Sequence, residues 1–385
     1  MSDRSTKRES GFSLLEMVIA TALGTIVLGA AVSIYIQGVN ATWTVTQRAE
    51  MQQDFRAASN LLKSDLSLAG AGLGQGASIQ LPTSASLPVY GCAQTTSTCY
   101  LNGTSGVTYP VQGTTPFLYG LLPGYQKGPT INTMATDTVT VVYTDPTFLL
   151  NCYTATVTNG TTVTFTTPTP FTTWAATNCL PSYSALTTPQ AVSDSGLGLT
   201  PGDLVWFTFG SSNVVAEVTT AATGAGVAVF AASDKLNMNQ ASTATNSLAY
   251  TYLNSGHATG TGQRILVVTY YLDNSVSPAR LMRQVSGHTP MPVAENVVYL
   301  NFTYDLFNDT TNLPAVACGN PGAASDGCAG ASTGLLPNQI TKINIAHLDM
   351  DSSLNGVHYG QNGYSRMDLT TSVSARNLTY VNNYP

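Results

Sequence analysis

The chain has 385 residues, of which 14 are Lys or Arg and 20 are Asp or Glu, giving a formal net charge of −6 and a charged fraction of 9%. Soluble proteins usually carry roughly 25% charged residues, so the surface must be dressed mainly with Thr, Ser, Asn, Gly and Tyr. An apolar content of 43% excludes a disordered chain, and the sparse positive charge excludes a protein that coats nucleic acid.

Residues Met1 to Gly11 are polar and hold Arg4, Lys7 and Arg8. From Phe12 to Val39 follow 28 residues whose sole charge is Glu16. As a helix this run reaches about 42 Å, more than a hydrocarbon core of roughly 30 Å. Its basic flank predicts a cytoplasmic amino terminus and an outward-facing bulk. A secretory signal peptide cut near Gly29-Ala30-Ala31 and a plain signal anchor both explain the apolar run. Neither explains Glu16, which costs roughly 2.5–3.5 kcal/mol on insertion scales.

Taken together, Gly11-Phe12-Ser13-Leu14-Leu15-Glu16 and the apolar run behind them resemble the class III prepilin signature of type IV pilins and type II secretion pseudopilins. The resemblance implies that prepilin peptidase cuts between Gly11 and Phe12, removing leader residues 1–11, and that the Phe12 amine is then methylated. Residues 12–39 would be retained as membrane anchor and filament core. Glu16 would face the Phe12 amine of an adjacent subunit and set the filament register. Gly24 and Gly29 read as packing points between helices in preference to sites where the helix loosens within a filament.

Over residues 40–69 the chain lacks proline, and Phe55, Ala58, Leu62, Leu66 and Ala69 recur at helical spacing among charged residues. This predicts the amphipathic half of one continuous helix, its stripe buried under the head. Gly70, Gly72, Gly74 and Gly76 supply the stop.

The head, residues 70–385, reads as strand with no further amphipathic helix. Predicted strands are Asp137–Tyr143, Asp203–Phe209, Val214–Val218, Arg264–Leu272, Asn296–Tyr304, Ile340–Leu348 and Asp368–Arg376. Val298, Leu300, Phe302 and Tyr304 are expected on one face, as are Val139, Val141 and Tyr143. Six cysteines fall into three local couples, predicting disulfides Cys92–Cys99, Cys152–Cys179 and Cys318–Cys328 in an exported domain. Four of them lie in a Thr- and Pro-rich elaboration over about 81–201.

Three further stretches resemble PilW-like large minor pilins: Gly202-Asp203-Leu204-Val205, Pro292 to Val297, and Ala375-Arg376-Asn377-Leu378. Glu295 and Arg376 within them read as structural residues. The fold expected from the resemblance is α+β and type IV pilin-like: a long amino-terminal helix packed on a mostly antiparallel β-rich head. The expected role is a minor pilin that primes, caps or joins a type IV pilus. The alternatives are a J-like minor pseudopilin and a tip adhesin that binds through residues 81–201. Its implied partners are major and minor pilins, prepilin peptidase and the inner-membrane assembly platform, without nucleic acid. Its implied location is the bacterial inner membrane with a periplasmic head, then the extracellular filament.

Catalysis is not expected. The chain lacks G-x-S-x-G, H-E-x-x-H and phosphate-loop motifs, and His257, His288, His347 and His358 are scattered. Asp349 to Ser353 faintly resembles a calcium loop, but Leu354 stands where glycine is needed. No metal and no cofactor are expected.

Overall fold

The computed structural model describes residues 11–74, 78–103, 105–167, 190–254, 259–308, 313–314, 336–351 and 366–379. The fold is α+β: one long amino-terminal helix, α1 (Leu14–Ser67, 54 residues), followed by a mostly antiparallel β-rich head. Contacts divide the chain after Gln53, so the outer end of α1 belongs to the head unit.

Freedom from proline lets α1 run unbroken. Within the head unit Phe55, Ala58, Leu62 and Leu66 line one face and are buried, as the spacing predicts. Burying a leucine side chain contributes about 2 kcal/mol. The helix ends at Ser67, and Gly70, Gly72 and Gly74 follow with φ of 79°, 77° and 80°. That left-handed conformation suits glycine, and a Cβ on Gly72 would strike the Thr144 side chain. The tight approach has a purpose. Gly70 N–H donates to the Val142 carbonyl at 2.8 Å and Thr144 N–H to that of Ala71 at 2.9 Å, stitching the helix stop to a sheet strand.

Ten strands form the main sheet. Its hub is Thr259–Asp273, rich in β-branched and aromatic residues. Ile265 pairs with Thr144 on one edge of the hub and with Leu204 on the other. Farther along, Val268 pairs with Val141 and Val285. The hub thus joins strands Thr138–Thr144, Leu204–Phe209 and Arg280–Val285, and it meets Thr154–Val157 at its start. The sequence predicts one strand within 81–201. The structure draws four strands of the main sheet from it: Leu121–Gly124, Thr138–Thr144, Thr154–Val157 and Thr162–Thr166. Phe207 anchors an aromatic core, stacked with Phe165 and Phe209 and edge-on to Phe230.

A second sheet holds Val297–Asn308, Ile340–Asp351 and Arg366–Ser374, with Leu313–Pro314 at its margin. Buried Asp137 joins the sheets: its N–H donates to the Leu300 carbonyl, and its carboxylate accepts from Phe302 N–H at 2.9 Å and the Asn301 amide at 3.0 Å.

All seven predicted strands are present, with ends shifted by a few residues. Three details differ. Val298 does not share the face of Leu300, Phe302 and Tyr304; Val297 is buried instead, because a register shift between Val297 and Tyr299 changes the alternation. Thr138 to Tyr143 are buried on both faces, so Val139, Val141 and Tyr143 belong to a covered central strand, not to an alternating one. A two-turn helix, Leu248–Asn254, is not among the predicted elements, its apolar and polar residues being too few to show a period.

Candidate functional site

The amino-terminal turn of α1 brings the motif residues together. Gly11 and Phe12 precede the helix, and Phe12 is 89% exposed. Ser13 occupies the cap: its carbonyl accepts the first helical hydrogen bond, from Met17 N–H at 3.1 Å. Glu16 folds back so that its Oε2 accepts the Ser13 N–H at 3.0 Å. This is half of an S-x-x-E capping box, which satisfies an N–H that the helix cannot bond internally. The signal is present in Ser13-Leu14-Leu15-Glu16, but a carboxylate in an apolar run reads first as a buried charge, and that reading misses the cap.

Beyond the cap, large apolar side chains lie uncovered: Leu14, Leu15, Met17, Val18, Ile26 and Ile36 are all more than half exposed. A Cβ at Gly24, Gly29 or Gly38 would meet nothing within 4 Å, so each glycine opens a shallow notch. Among the described residues, α1 is the one helix long and apolar enough to cross a membrane. Such a face in a free chain fits lipid or other helices, not water.

The outer end of α1 is held by charge as well as by apolar contact. Asp65 is 5% exposed. Its Oδ2 receives Arg283 Nε at 2.7 Å and the Tyr270 hydroxyl at 2.6 Å; its Oδ1 receives Arg283 Nη2 and the Tyr143 hydroxyl, both at 3.3 Å. Tyr143, Tyr270 and Arg283 come from three adjacent strands, and Tyr270 faces Arg283 in register. Burial, then the Asp65 charge, pushes the Tyr143 hydroxyl up to about 12. Tyr270 is raised by the same two causes in the same order. Arg283, although burial disfavours its charge, is held more firmly protonated by hydrogen bonding to Asp65 and by the Asp65 charge.

The stretches Gly202 to Val205, Pro292 to Val297 and Ala375 to Leu378 lie in three separate places and make contacts within the head. Asp203 Oδ2 accepts Thr200 N–H at 2.8 Å while Oδ1 bonds His288 Nε2 at 2.9 Å, and Arg264 lies 3.6 Å away. Arg264 itself reaches Asp145 at 2.7 Å and sits over the Phe148 ring. Gly202, at φ 99°, lets the chain pass beside Gly287, whose carbonyl oxygen would stand 2.5 Å from any Cβ there. Glu295 pairs with Arg280 at 3.4 Å on the surface. Near the end of the chain Ala375 and Leu378 are buried, whereas Arg376 is exposed.

One acid pair, buried Glu217 and half-buried Asp234, had no sequence signal. Glu217 is fully buried, and its Oε2 accepts Leu236 N–H at 3.0 Å; Asp234 accepts from Met238 N–H and, at 3.1 Å, from Asn239 N–H. Burial, and then the Asp234 charge, raises the Glu217 carboxyl to about 9, so at neutral pH it keeps its proton. The pair ties the 234–239 loop to the strand Ser212–Glu217.

Of the disulfides, Cys92–Cys99 is formed, across a hairpin in which the two residues face each other. Cys152 is disulfide-bonded. Its expected partner Cys179, with Cys318 and Cys328, lies outside the described residues, as do His257 and His358. The calcium-loop resemblance fails, because Asp349 to Asp351 are extended and paired with Arg366 to Asp368. His347, Asp349 and Asp368 bring ligand atoms within 4.8 Å of one another; His347 and Asp368 are half-exposed and already bonded at 3.3 Å.

Residues 6–32 match a family model described as the prokaryotic N-terminal methylation motif. The match supports a type IV pilin- or pseudopilin-type protein, with processing by a prepilin peptidase and assembly with other pilins. No curated protein and no solved structure matches the chain.

Proposed function

We propose that this chain is a PilW-like minor pilin, a non-catalytic subunit that primes, caps or joins a type IV pilus. One observation carries the reading: the residues that match the methylation motif open a long helix whose apolar first half is uncovered and whose one charge in that half, Glu16, sits one turn from Phe12. Cleavage after Gly11 would expose the Phe12 amine beside that turn. In the inner membrane the helix anchors the subunit, with the head outside. In a filament the same helix packs among those of other pilins, its glycine notches admitting neighbours, while Glu16 offsets the Phe12 amine of the next subunit.

A J-like pseudopilin of type II secretion shares this amino terminus, so the test must read the assembly itself. Filaments sheared from cells and probed for this chain should contain it in substoichiometric amounts, and its deletion should reduce piliation. Normal pili lacking the chain, together with a secretion defect on deletion, would overturn the pilus assignment.

A further inference from the structure

A cleft of about 600 Å³ opens in the head and falls within the size range of small-molecule sites. Four elements build it: the strand Leu204–Phe209, the edge strand Ser212–Glu217 with its preceding turn, the short strand Ser78–Gln80, and the helix Leu248–Asn254 with the residue Asn246 before it. Two half-buried aromatic side chains, Trp206 and Tyr250, line it. Around them stand the amides of Gln80, Asn213, Asn246 and Asn254.

The polar groups are already oriented. Asn213 Oδ1 accepts both Trp206 Nε1 and Thr208 Oγ1 at 3.2 Å, which fixes the indole and leaves the Asn213 amide hydrogens as donors. Asn246 Nδ2 donates to Gln80 Oε1 at 3.4 Å, and Asn254 Nδ2 to the Tyr250 carbonyl at 3.0 Å, leaving the Asn254 Oδ1 as an acceptor. Among the described residues no Lys, Arg, Asp or Glu lines the cleft. Phosphate and carboxylate ligands would find no counter-charge there, and neither would a cation. Aromatic faces beside planar amides and hydroxyls suit a ligand that presents C–H faces and many hydroxyl groups together.

We propose that this cleft binds a neutral saccharide, with Trp206 and Tyr250 as stacking platforms and the amides as hydroxyl readers. The proposal goes beyond the filament role and stands without it, since it uses only the head. It also places surface recognition mostly outside residues 81–201.

The test is binding of the full-length processed chain, in a detergent without a sugar headgroup, to an array of neutral and acidic glycans, followed by saturation-transfer NMR with the best neutral oligosaccharide. Expected is binding to at least one neutral glycan, weakened roughly tenfold or more by Trp206→Ala and by Tyr250→Ala. Asn254→Ala, a change at an exposed amide at the end of the helix, should weaken it as well while leaving the circular dichroism spectrum unchanged; it therefore serves if an aromatic variant misfolds. Absence of binding to every neutral glycan, binding confined to acidic ones, or neutral binding untouched by all three substitutions would overturn the proposal.

Discussion

Glu16 caps the helix and, in the proposed filament role, also supplies a charge, and one substitution distinguishes the two. Glutamine at this position can still accept the Ser13 N–H but carries no charge, whereas leucine abolishes both functions. Both variants should be cut after Gly11 and held in the membrane, since neither puts a charge into the apolar run and leucine removes an insertion penalty of roughly 2.5–3.5 kcal/mol. Both should be depleted from sheared filaments, because the neighbouring Phe12 amine loses its counter-charge. A Glu16→Gln chain that assembles at wild-type level beside a defective Glu16→Leu chain would make the cap, not the charge, the purpose of this residue. Glu217 makes a second prediction through its proton. Its folded-state carboxyl titrates near 9, above the ordinary carboxylate range of the unfolded chain, so the folded state holds more protons between those limits. The contribution of this group to stability is therefore fully present below the ordinary range and declines as pH rises toward about 9. Glu217→Gln should mimic the protonated form, and its melting temperature relative to wild type should climb over that window. A difference independent of pH would show that Glu217 is ionised in the fold.

The junction of helix and head is the element on which the layout depends, and Asp65 is its polar centre. Asp65→Ala would leave Arg283 and two tyrosine hydroxyls facing a carboxylate that is gone, costing roughly 2–4 kcal/mol. Urea unfolding of the head signal should detect the loss, and Arg283→Ala should cost a similar amount without adding to it in the double variant. Additive losses would mean that the two side chains are energetically independent. The hairpin disulfide gives a simpler expectation: replacing Cys92 and Cys99 together by Ala should cost about 2–3 kcal/mol on the chain-entropy account. At this scale the sequence was readable wherever a local period existed. The stripe Phe55, Ala58, Leu62 and Leu66 announced a buried helix face, and β-branched runs such as Arg264–Leu272 announced strands. Asp65 looked like one more charge beside that stripe, because its partners lie 78, 205 and 218 residues away and no short window contains them. The acid pair of Glu217 and Asp234 was hidden for the same reason, as was the cleft beside Trp206, whose walls come from distant parts of the chain.

At the scale of the whole molecule the charges follow the division of labour. Six of the 14 basic and six of the 20 acidic residues fall within residues 1–69, on the leader and α1, so the head is sparsely charged and carries the whole net charge of −6. α1 is apolar enough to cross a membrane, and the head is closed by sheets and holds the Cys92–Cys99 disulfide, a bond suited to an oxidising compartment. Everything after the leader depends on where the mature chain begins. Intact-mass and amino-terminal peptide analysis of the protein from cell membranes tests this most directly. The account predicts a chain that begins at Phe12 and carries an added methyl group on its amine. A chain that begins at Ser33 or beyond, or one that retains Met1 to Gly11 in cells making prepilin peptidase, would contradict it.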